Sequence, residues 1–260
     1  MMLVRSIAFN IAFFGMTFVL TLIATAMRVL APARTLDMPM LWARLNLVLL
    51  RAICGIRLEV TGLEHLTPGP ALIASRHQSA FDTFVWLTLV PKCCYVLKQE
   101  LLKIPLFGVL MLRAGMIAVD RGAGGLALRS LLRDGERAVA EQRQIVIFPE
   151  GTRGPPGTML DLQPGVAALA ARLGLPVIPV ATDSGRCWGR RAFRKRPGVI
   201  RIVIGAPIPA DMPRRALMQL LREEMGRLDG TDHPPVAARA VYKSVGQTHA
   251  GLLSDLNKTE

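Results

Sequence analysis

The chain has 260 residues, of which 51% are hydrophobic, and its 32 lysines and arginines exceed its 19 aspartates and glutamates to give a formal net charge of +13. Such a length can bury a sizeable core, and so strong a positive charge indicates an anionic partner, either nucleic acid or a membrane surface. Aromatic residues make up only 5% of the chain, too few for repeated base stacking, so we expect anionic membrane lipids as a partner and no nucleic acid.

The cysteines argue against a disulfide scaffold and against a zinc site. The chain has four, Cys54, Cys93, Cys94 and Cys187, and none of them forms a Cys-x-x-Cys pair. Zinc sites and disulfide frameworks need closer or more numerous cysteines. We therefore expect reduced, mostly buried thiols and no metal.

The first predicted element is an apolar helix without a charged residue, from Ser6 to Met27, flanked by Arg5 and Arg28. Crossing a bilayer takes roughly 20 such residues. A signal peptide is the competing interpretation, since residues 31–33 resemble a cleavage site, but its apolar region is usually ~7–15 residues long. An uncleaved anchor is therefore predicted, and the arginines that follow it place the bulk of the protein on the cytoplasmic side.

A second apolar stretch runs from Met40 to Ile53, with Arg44 and Arg51 seven residues apart. Two interpretations fit it equally. It is either an amphipathic helix that lies in the membrane interface or an ordinary helix packed on the core.

After Gly55 the pattern alternates between strands and helices. Strands are predicted at 70–75, 92–98, 115–120, 144–148, 176–181 and 199–205, and helices at 126–142, at 165–174 and around 217–228. This alternation predicts an α/β fold with a mixed, mostly parallel sheet flanked by helices, preceded by the N-terminal membrane-anchoring helical segment. We expect three parts: anchoring helices in residues 1–55, the α/β domain in 56–230 and a polar tail in 231–260.

The segment Ser75–Thr83 contains a histidine and an aspartate five residues apart, His77 and Asp82. This spacing fits a histidine just after a strand and an aspartate in the first turn of the next helix. The carboxylate then fixes the tautomer of an imidazole that accepts a proton near neutral pH. Such a pair taken alone more often has a core or capping role.

Two further loops carry anion-binding chemistry. The strand at 144–148 leads into Pro149–Gly154, where Gly151 lets the backbone approach an anion and Arg153 offers a bidentate guanidinium. The strand at 115–120 ends at Asp120 and Arg121, where α/β sheets place their sites. A tight turn with a solvated arginine and a surface ion pair are the alternatives.

Together these segments resemble the glycerolipid acyltransferase family, membrane enzymes that acylate lysophosphatidic acid (1-acylglycerol-3-phosphate). Its Asn-His-x-x-x-x-Asp block is similar to 76–82, its Gly-x-x-x-x-Asp-Arg block to 115–121, and its Val-Pro-Ile-x-Pro-Val block to 175–180. Its Phe-Pro-Glu-Gly-Thr-Arg block is identical to residues 148–153, and its Lys-x-Glu-Leu stretch resembles 98–101. The blocks stand in the family's order between residues 38 and 210.

The resemblance implies a mechanism and a set of partners. His77 deprotonates the free hydroxyl of lysophosphatidic acid, Asp82 orients the imidazole, and the oxygen attacks the thioester of acyl-CoA or of acyl-acyl carrier protein. No cofactor or metal is implied. Reaction at the cytoplasmic face of the inner membrane follows, because the acceptor is a lipid and the acyl carrier is cytosolic. The implied phosphate-binding residues are Glu150, Gly151, Thr152 and Arg153, with Arg121 and Lys98 ranked second.

One departure from the family is Arg76, where the family commonly has asparagine. A cation beside His77 lowers the affinity of an imidazole for a proton, so we expect the Arg76 side chain to point away from His77, toward acceptor or lipid phosphate. The departure puts the identity of the acceptor in doubt.

Other functions remain open from the sequence. Another lysolipid, such as lyso-ornithine lipid, is an alternative acceptor, and a basic membrane-binding protein without activity is the non-enzymatic alternative. A serine hydrolase using Ser79 is disfavoured because the Gly-x-Ser-x-Gly elbow is absent. The basic run Gly189–Arg196 fits lipid headgroups, an acidic acyl carrier or a solvated loop.

Overall fold

The computed structural model describes residues 1–31, 35, 37–66, 68–104 and 107–230, in which seven strands form one sheet. The strands are β1 (Ile56–Thr61), β2 (Ala71–Ser75), β3 (Cys93–Lys98), β4 (Ile117–Val119), β5 (Gln144–Ile147), β6 (Val177–Thr182) and β7 (Gly198–Ile204). Their order is β1-β7-β6-β2-β5-β3-β4, and every neighbouring pair is parallel except β6 and β7. The predicted mixed, mostly parallel sheet is confirmed.

In the described residues, eight α-helices surround the sheet. They are α1 (Met2–Leu30), α2 (Met38–Leu49), α3 (Asp82–Leu89), α4 (Phe107–Arg113), α5 (Gly125–Ala140), α6 (Gly165–Leu173), α7 (Ser184–Cys187) and α8 (Arg214–Gly230). A π-helical turn at Leu50–Cys54 extends α2, and short 3₁₀ turns stand at Leu63–His65 and Gln99–Lys103. The sequence pattern predicts six of the strands and the helices α5, α6 and α8 but not β1, α4 or α7.

Each face of the sheet carries its own hydrophobic core. Alternate residues of β2 point to opposite faces, so Ile73 joins the core beneath α1, α2 and α3, while Leu72 joins the core beneath α5, α6 and α8. All residues of β2 and β6 are buried, as expected for central strands of a sheet covered on both sides. The polar tail predicted for 231–260 lies outside the described residues.

Helix α1 is longer than predicted and packs on the α/β domain by part of its surface. Phe9 is fully buried and meets the Trp188 ring edge-on at 5.5 Å, while Ile11, Phe14 and Phe18 on the outer face are more than 60% exposed. Among the described residues it is the single helix long and apolar enough to cross a membrane, a property that signal sequences share. The helices of residues 1–55 therefore share a core with the sheet and also present an apolar outer surface.

Helix α2 packs on the core, as one of its two interpretations predicts, and also has apolar residues on its outer side. Ala43 and Leu47 are buried against neighbouring helices, whereas Leu41 and Val48 face outward. The four cysteines are free and buried, which confirms the reduced, buried thiols expected from the sequence.

Candidate active site

The predicted histidine and aspartate meet at the carboxyl end of β2. Nδ1 of His77 lies 3.1 Å from Oδ2 of Asp82, because His77 follows the strand by two residues and Asp82 is the first residue of α3. The same carboxylate oxygen accepts hydrogen bonds from the backbone N–H groups of Gln78 at 2.7 Å and Ser79 at 2.8 Å. The Asp82 side chain is only 2% exposed, so three donors hold it in one orientation.

The His77 ring is fixed from two further sides. It stacks on Phe148 with ring centroids 4.2 Å apart and planes 19° apart, and its Nε2 accepts a 3.4 Å contact from Nε of Arg153. With Nδ1 donating to Asp82, Nε2 is the nitrogen that carries the lone pair, and in this structure the lone pair faces the N–H of Arg153. Nε2 is therefore the nitrogen at which the imidazole can accept a proton in place of the contact with Arg153.

The loop after β5 wraps around this histidine. Gly151 has φ +67°, a left-handed conformation that favours glycine, and its carbonyl accepts a hydrogen bond from Arg121. The backbone N–H of Gly154 donates to the carbonyl of His77 at 2.8 Å. The motif loop and the histidine loop are thus one structural unit.

Glu150 faces inward rather than toward the cleft. Its buried carboxylate accepts hydrogen bonds from the backbone N–H of His77 at 3.1 Å and of Leu160 at 3.2 Å, and it pairs with Arg76 at 3.3 Å. These contacts differ from the predicted phosphate contact, because every partner of the carboxylate is a protein donor. Glu150 positions the two loops.

Arg76 is fully buried behind the histidine and points away from it, as expected, but toward protein carboxylates and not toward a phosphate. Besides Glu150, its guanidinium pairs with Asp229 near the end of α8 at 2.5 Å and donates to the carbonyl of Thr158. The expected contact with acceptor or lipid phosphate is therefore replaced by internal ion pairs. Arg76 joins β2, the motif loop and α8.

His77 opens onto a cleft of about 610 Å³ between the α/β domain and the N-terminal helices. Its walls are mostly apolar and include Phe13, Thr17 and Leu20 of α1 and Leu87 and Met111 of the α/β domain. The cations and motif residues that line it are Lys98, Arg113, Arg121, Gly151, Thr152, Arg153, Arg190 and Arg191. An apolar cleft with a positively charged rim can accommodate a lipid that carries a phosphate.

Some of the predicted site residues line the cleft, and others lie behind it. His77, Lys98, Arg121, Gly151, Thr152 and Arg153 line the cleft, whereas Asp82 and Glu150 support it from behind. Lys98 pairs with Glu100 at 2.7 Å, and both side chains are about half exposed. No specific site role was predicted for Phe148, Arg113, Arg190 or Arg191. Phe148 is the first residue of the motif block, and the last two lie in the basic run 189–196, for which three interpretations were open.

Arg153 is the cation closest to the base. Its pKa is lowered mainly by burial and further by the positive charge of Arg190, while Asp82 opposes the shift. Arginine nevertheless stays protonated in proteins, so a positive charge remains beside Nε2 of His77 and is available to an anionic ligand.

Comparisons with known proteins agree with this geometry. A family model described as Acyltransferase matches residues 57–183. The 1-acyl-sn-glycerol-3-phosphate acyltransferase of Pseudomonas aeruginosa is 40% identical over 170 residues, which cover 65% of this chain and 66% of the relative. The human 1-acyl-sn-glycerol-3-phosphate acyltransferase alpha is 30% identical over 191 residues, 70% of this chain and 67% of the relative.

The chain belongs to the glycerolipid acyltransferase family. The matched part spans about two thirds of the length of these relatives. The crystal structure of the 1-acyl-sn-glycerophosphate acyltransferase of Thermotoga maritima superposes with a TM-score of 0.70, covering 88% of this chain and 96% of that one at 21% identity. That likeness confirms the acyltransferase fold, and the family confirms an enzyme of the type that the motifs predicted.

Proposed function

We propose that this family member transfers a fatty acyl group from an acyl thioester, acyl-CoA or acyl-acyl carrier protein, to the free hydroxyl of 1-acylglycerol-3-phosphate to give phosphatidic acid. The observation that carries the proposal is the His77–Asp82 pair at the base of an apolar cleft with an arginine-rich rim. The relatives named above are acyltransferases of this acceptor by their names. We assign His77 and Asp82 as the catalytic residues.

In this mechanism Nε2 of His77 takes the proton of the acceptor hydroxyl, and the oxygen attacks the thioester carbonyl. Asp82 stabilises the imidazolium through the 3.1 Å contact at Nδ1. The tetrahedral intermediate then collapses, the C–S bond breaks, and the departing thiolate takes the proton back from the imidazolium. The thioester is already activated, so the enzyme needs no nucleophile of its own.

The cleft assigns the remaining residues by their chemistry. Arg153 binds the acceptor phosphate as a bidentate donor, with Gly151, Thr152 and Arg121 lining the same wall. Lys98 lies further along the rim as a contact for phosphate or acyl carrier. Glu150 acts on His77 and Leu160 backbone groups, so we assign it a positioning role.

The outer surface of α1 supports membrane association. Its exposed Ile11, Phe14 and Phe18 belong to the same helix as the cleft residues Phe13, Thr17 and Leu20, so a helix inserted in a membrane would bring the cleft next to a lipid acceptor. We place the catalytic domain at the cytoplasmic face of the inner membrane, since more arginines follow α1 than precede it.

Two alternatives fit the site less well. Lyso-ornithine lipid has no phosphate, whereas the rim of the cleft carries six cationic side chains. The hydroxyl of Ser79 belongs to a fully buried residue and accepts a hydrogen bond from the N–H of Phe81, an arrangement that suits the start of α3 and leaves no path to a substrate.

The test is an acylation assay on the purified full chain with lysophosphatidic acid, other lysolipids and both thioester donors, read by mass spectrometry of the products. Phosphatidic acid is the expected product. His77→Ala should lower kcat by about 10²–10⁴-fold, the usual scale for a general base, while acceptor binding changes little. His65→Ala is the matched control, because that ring contacts the carbonyl of Ile204 and not the cleft. Absence of phosphatidic acid with either donor, or a fully active His77→Ala protein, contradicts the proposal.

A further inference from the structure

The loop between α7 and β7 places two arginines in the cleft that the family motifs do not include. Arg190 and Arg191 line the same cleft as His77 and Arg153. They come from a part of the chain beyond the last motif block, which ends in β6. The cleft therefore has a second group of positive side chains, which comes from a different loop than the motif residues.

This loop is held in place by α1. Lys195, only 2% exposed, donates from its backbone N–H to Oγ of Ser6 at 2.9 Å and from Nζ to Oδ1 of Asn10 at 2.6 Å. Nζ also lies 4.8 Å from the ring centre of Trp188, a cation–π distance. The apolar helix thus fixes the far side of the loop that carries the two arginines.

The backbone supports the same conclusion. Arg191 has φ +55°, a left-handed conformation that residues with a Cβ rarely adopt and that persists only where the surroundings fix it. Such positions cluster at ligand-binding sites. The unusual backbone conformation therefore occurs at one of the two arginines that line the cleft.

The positive charges in this part of the cleft are unbalanced. In the part of the chain that the structure describes, no carboxylate lies within 4.0 Å of Arg153, Arg190 or Arg191, although twelve other pairs meet that criterion. The pKa of Arg153 is lowered mainly by burial; Asp82 opposes this shift, and the positive charge of Arg190 lowers the pKa further, by a smaller effect than that of Asp82. Like charges held together in this way are stabilised by an anion between them.

We infer that Arg190 and Arg191 join Arg153 in binding the phosphate of the acceptor lipid, so the α7–β7 loop sets the preference for a phosphate-bearing lysolipid over a neutral one. This inference rests on the proposed function. A phosphate dianion accepts several charge-assisted hydrogen bonds at once, and two guanidinium groups from different loops grip it from two sides. Phosphate is also present in the acyl donor and in the bilayer headgroups, but the neighbourhood of Arg153 and His77 favours the acceptor.

The experiment compares Arg190→Gln, Arg191→Gln and the double variant with Arg194→Gln. Arg194 is the matched control, because it lies in the same loop, is exposed, does not line the cleft and loses the same charge. KM and kcat are measured for lysophosphatidic acid, for monoacylglycerol, which lacks the phosphate, and for the acyl donor. Binding to vesicles of anionic phospholipid is measured alongside.

Each of the two single variants should raise the acceptor KM by about 10-fold or more, the scale of one charge-assisted hydrogen bond. The preference for lysophosphatidic acid over monoacylglycerol should fall in proportion, with donor KM and vesicle binding unchanged and Arg194→Gln like the wild type. A rise in donor KM alone would assign the arginines to the acyl carrier and overturn the inference. An equal effect of Arg194→Gln together with weaker vesicle binding would assign them to headgroups and overturn it too. A wild-type protein that does not acylate lysophosphatidic acid would refute the proposed function instead, so the two failures are distinguishable.

Discussion

Replacing Asp82 by asparagine tests how the carboxylate assists His77. All three donors to Asp82, from His77, Gln78 and Ser79, meet the same oxygen, so an asparagine can place its carbonyl oxygen there and keep the geometry. The variant therefore removes a charge and little else. At the 3.1 Å separation of Nδ1 and Oδ2, Coulomb's law with an effective dielectric constant of about 20 gives ~5 kcal/mol of attraction to an imidazolium.

That energy corresponds to a rate factor of ~10⁴ at most. Because two backbone N–H groups already neutralise part of the carboxylate charge, we expect kcat to fall by about 10²–10⁴-fold with an unchanged acceptor KM. The assay is steady-state acylation of lysophosphatidic acid by the purified protein, with the melting temperature measured on the same samples.

Asp161→Asn is the control, since it removes a carboxylate from a side chain that is 94% exposed and does not line the cleft. A loss smaller than tenfold for Asp82→Asn, in a variant that melts like the wild type, would show that the charge of Asp82 does not stabilise the transition state. The role of Asp82 would then be to hold the conformation of the loop through its backbone hydrogen bonds, and not to assist the reaction.

Two further predictions concern stability. Arg76→Met leaves the buried carboxylate of Glu150 without its cation, a change that costs about 3–5 kcal/mol and should lower Tm by on the order of 10 °C. Asp229→Asn, at a side chain that is 23% exposed, should lower Tm much less. Equal Tm values for Arg76→Met and the wild type in a thermal melt would refute this. Burial raises the pKa of Cys94 from 9.0 to about 12, so its neutral thiol contributes stability that is complete below about pH 9 and is lost as pH rises toward 12. Cys94→Ala should therefore lose unfolding free energy less steeply than the wild type between pH 9 and 11, and parallel slopes in denaturant titrations would contradict this.

The sequence predicts the central strands of the sheet well. The buried runs at 71–75 and 177–182 are apolar on both faces, so they are recognisable as central strands. Strand β1, with the sequence Ile-Arg-Leu-Glu-Val-Thr, alternates as an edge strand does, but the sequence analysis assigned no strand there. Its pairing with β7, some 140 residues later, depends on the whole fold.

The candidate site likewise has contacts that the local sequence predicts and contacts that only the whole fold creates. The spacing of His77 and Asp82 is local, so a strand end and a helix start predict their contact. The internal role of Glu150 depends on Arg76 and on α8, which reaches the site through Asp229. No local pattern indicates that pairing, nor the entry of Arg190 into the cleft from a loop held by α1.

The α1 wall of the cleft has a practical consequence for work on this protein. Phe13, Thr17 and Leu20 line the space beside His77, and Phe9 contacts Trp188. A shortened version that begins at β1, made for the sake of solubility, would lose one side of its substrate channel, uncover aromatic residues of the domain and release the loop that Lys195 ties to Asn10. Activity assays should therefore use protein with the first helix intact, and an inhibitor of this cleft has to complement a helix surface as well as the His77–Asp82 pair.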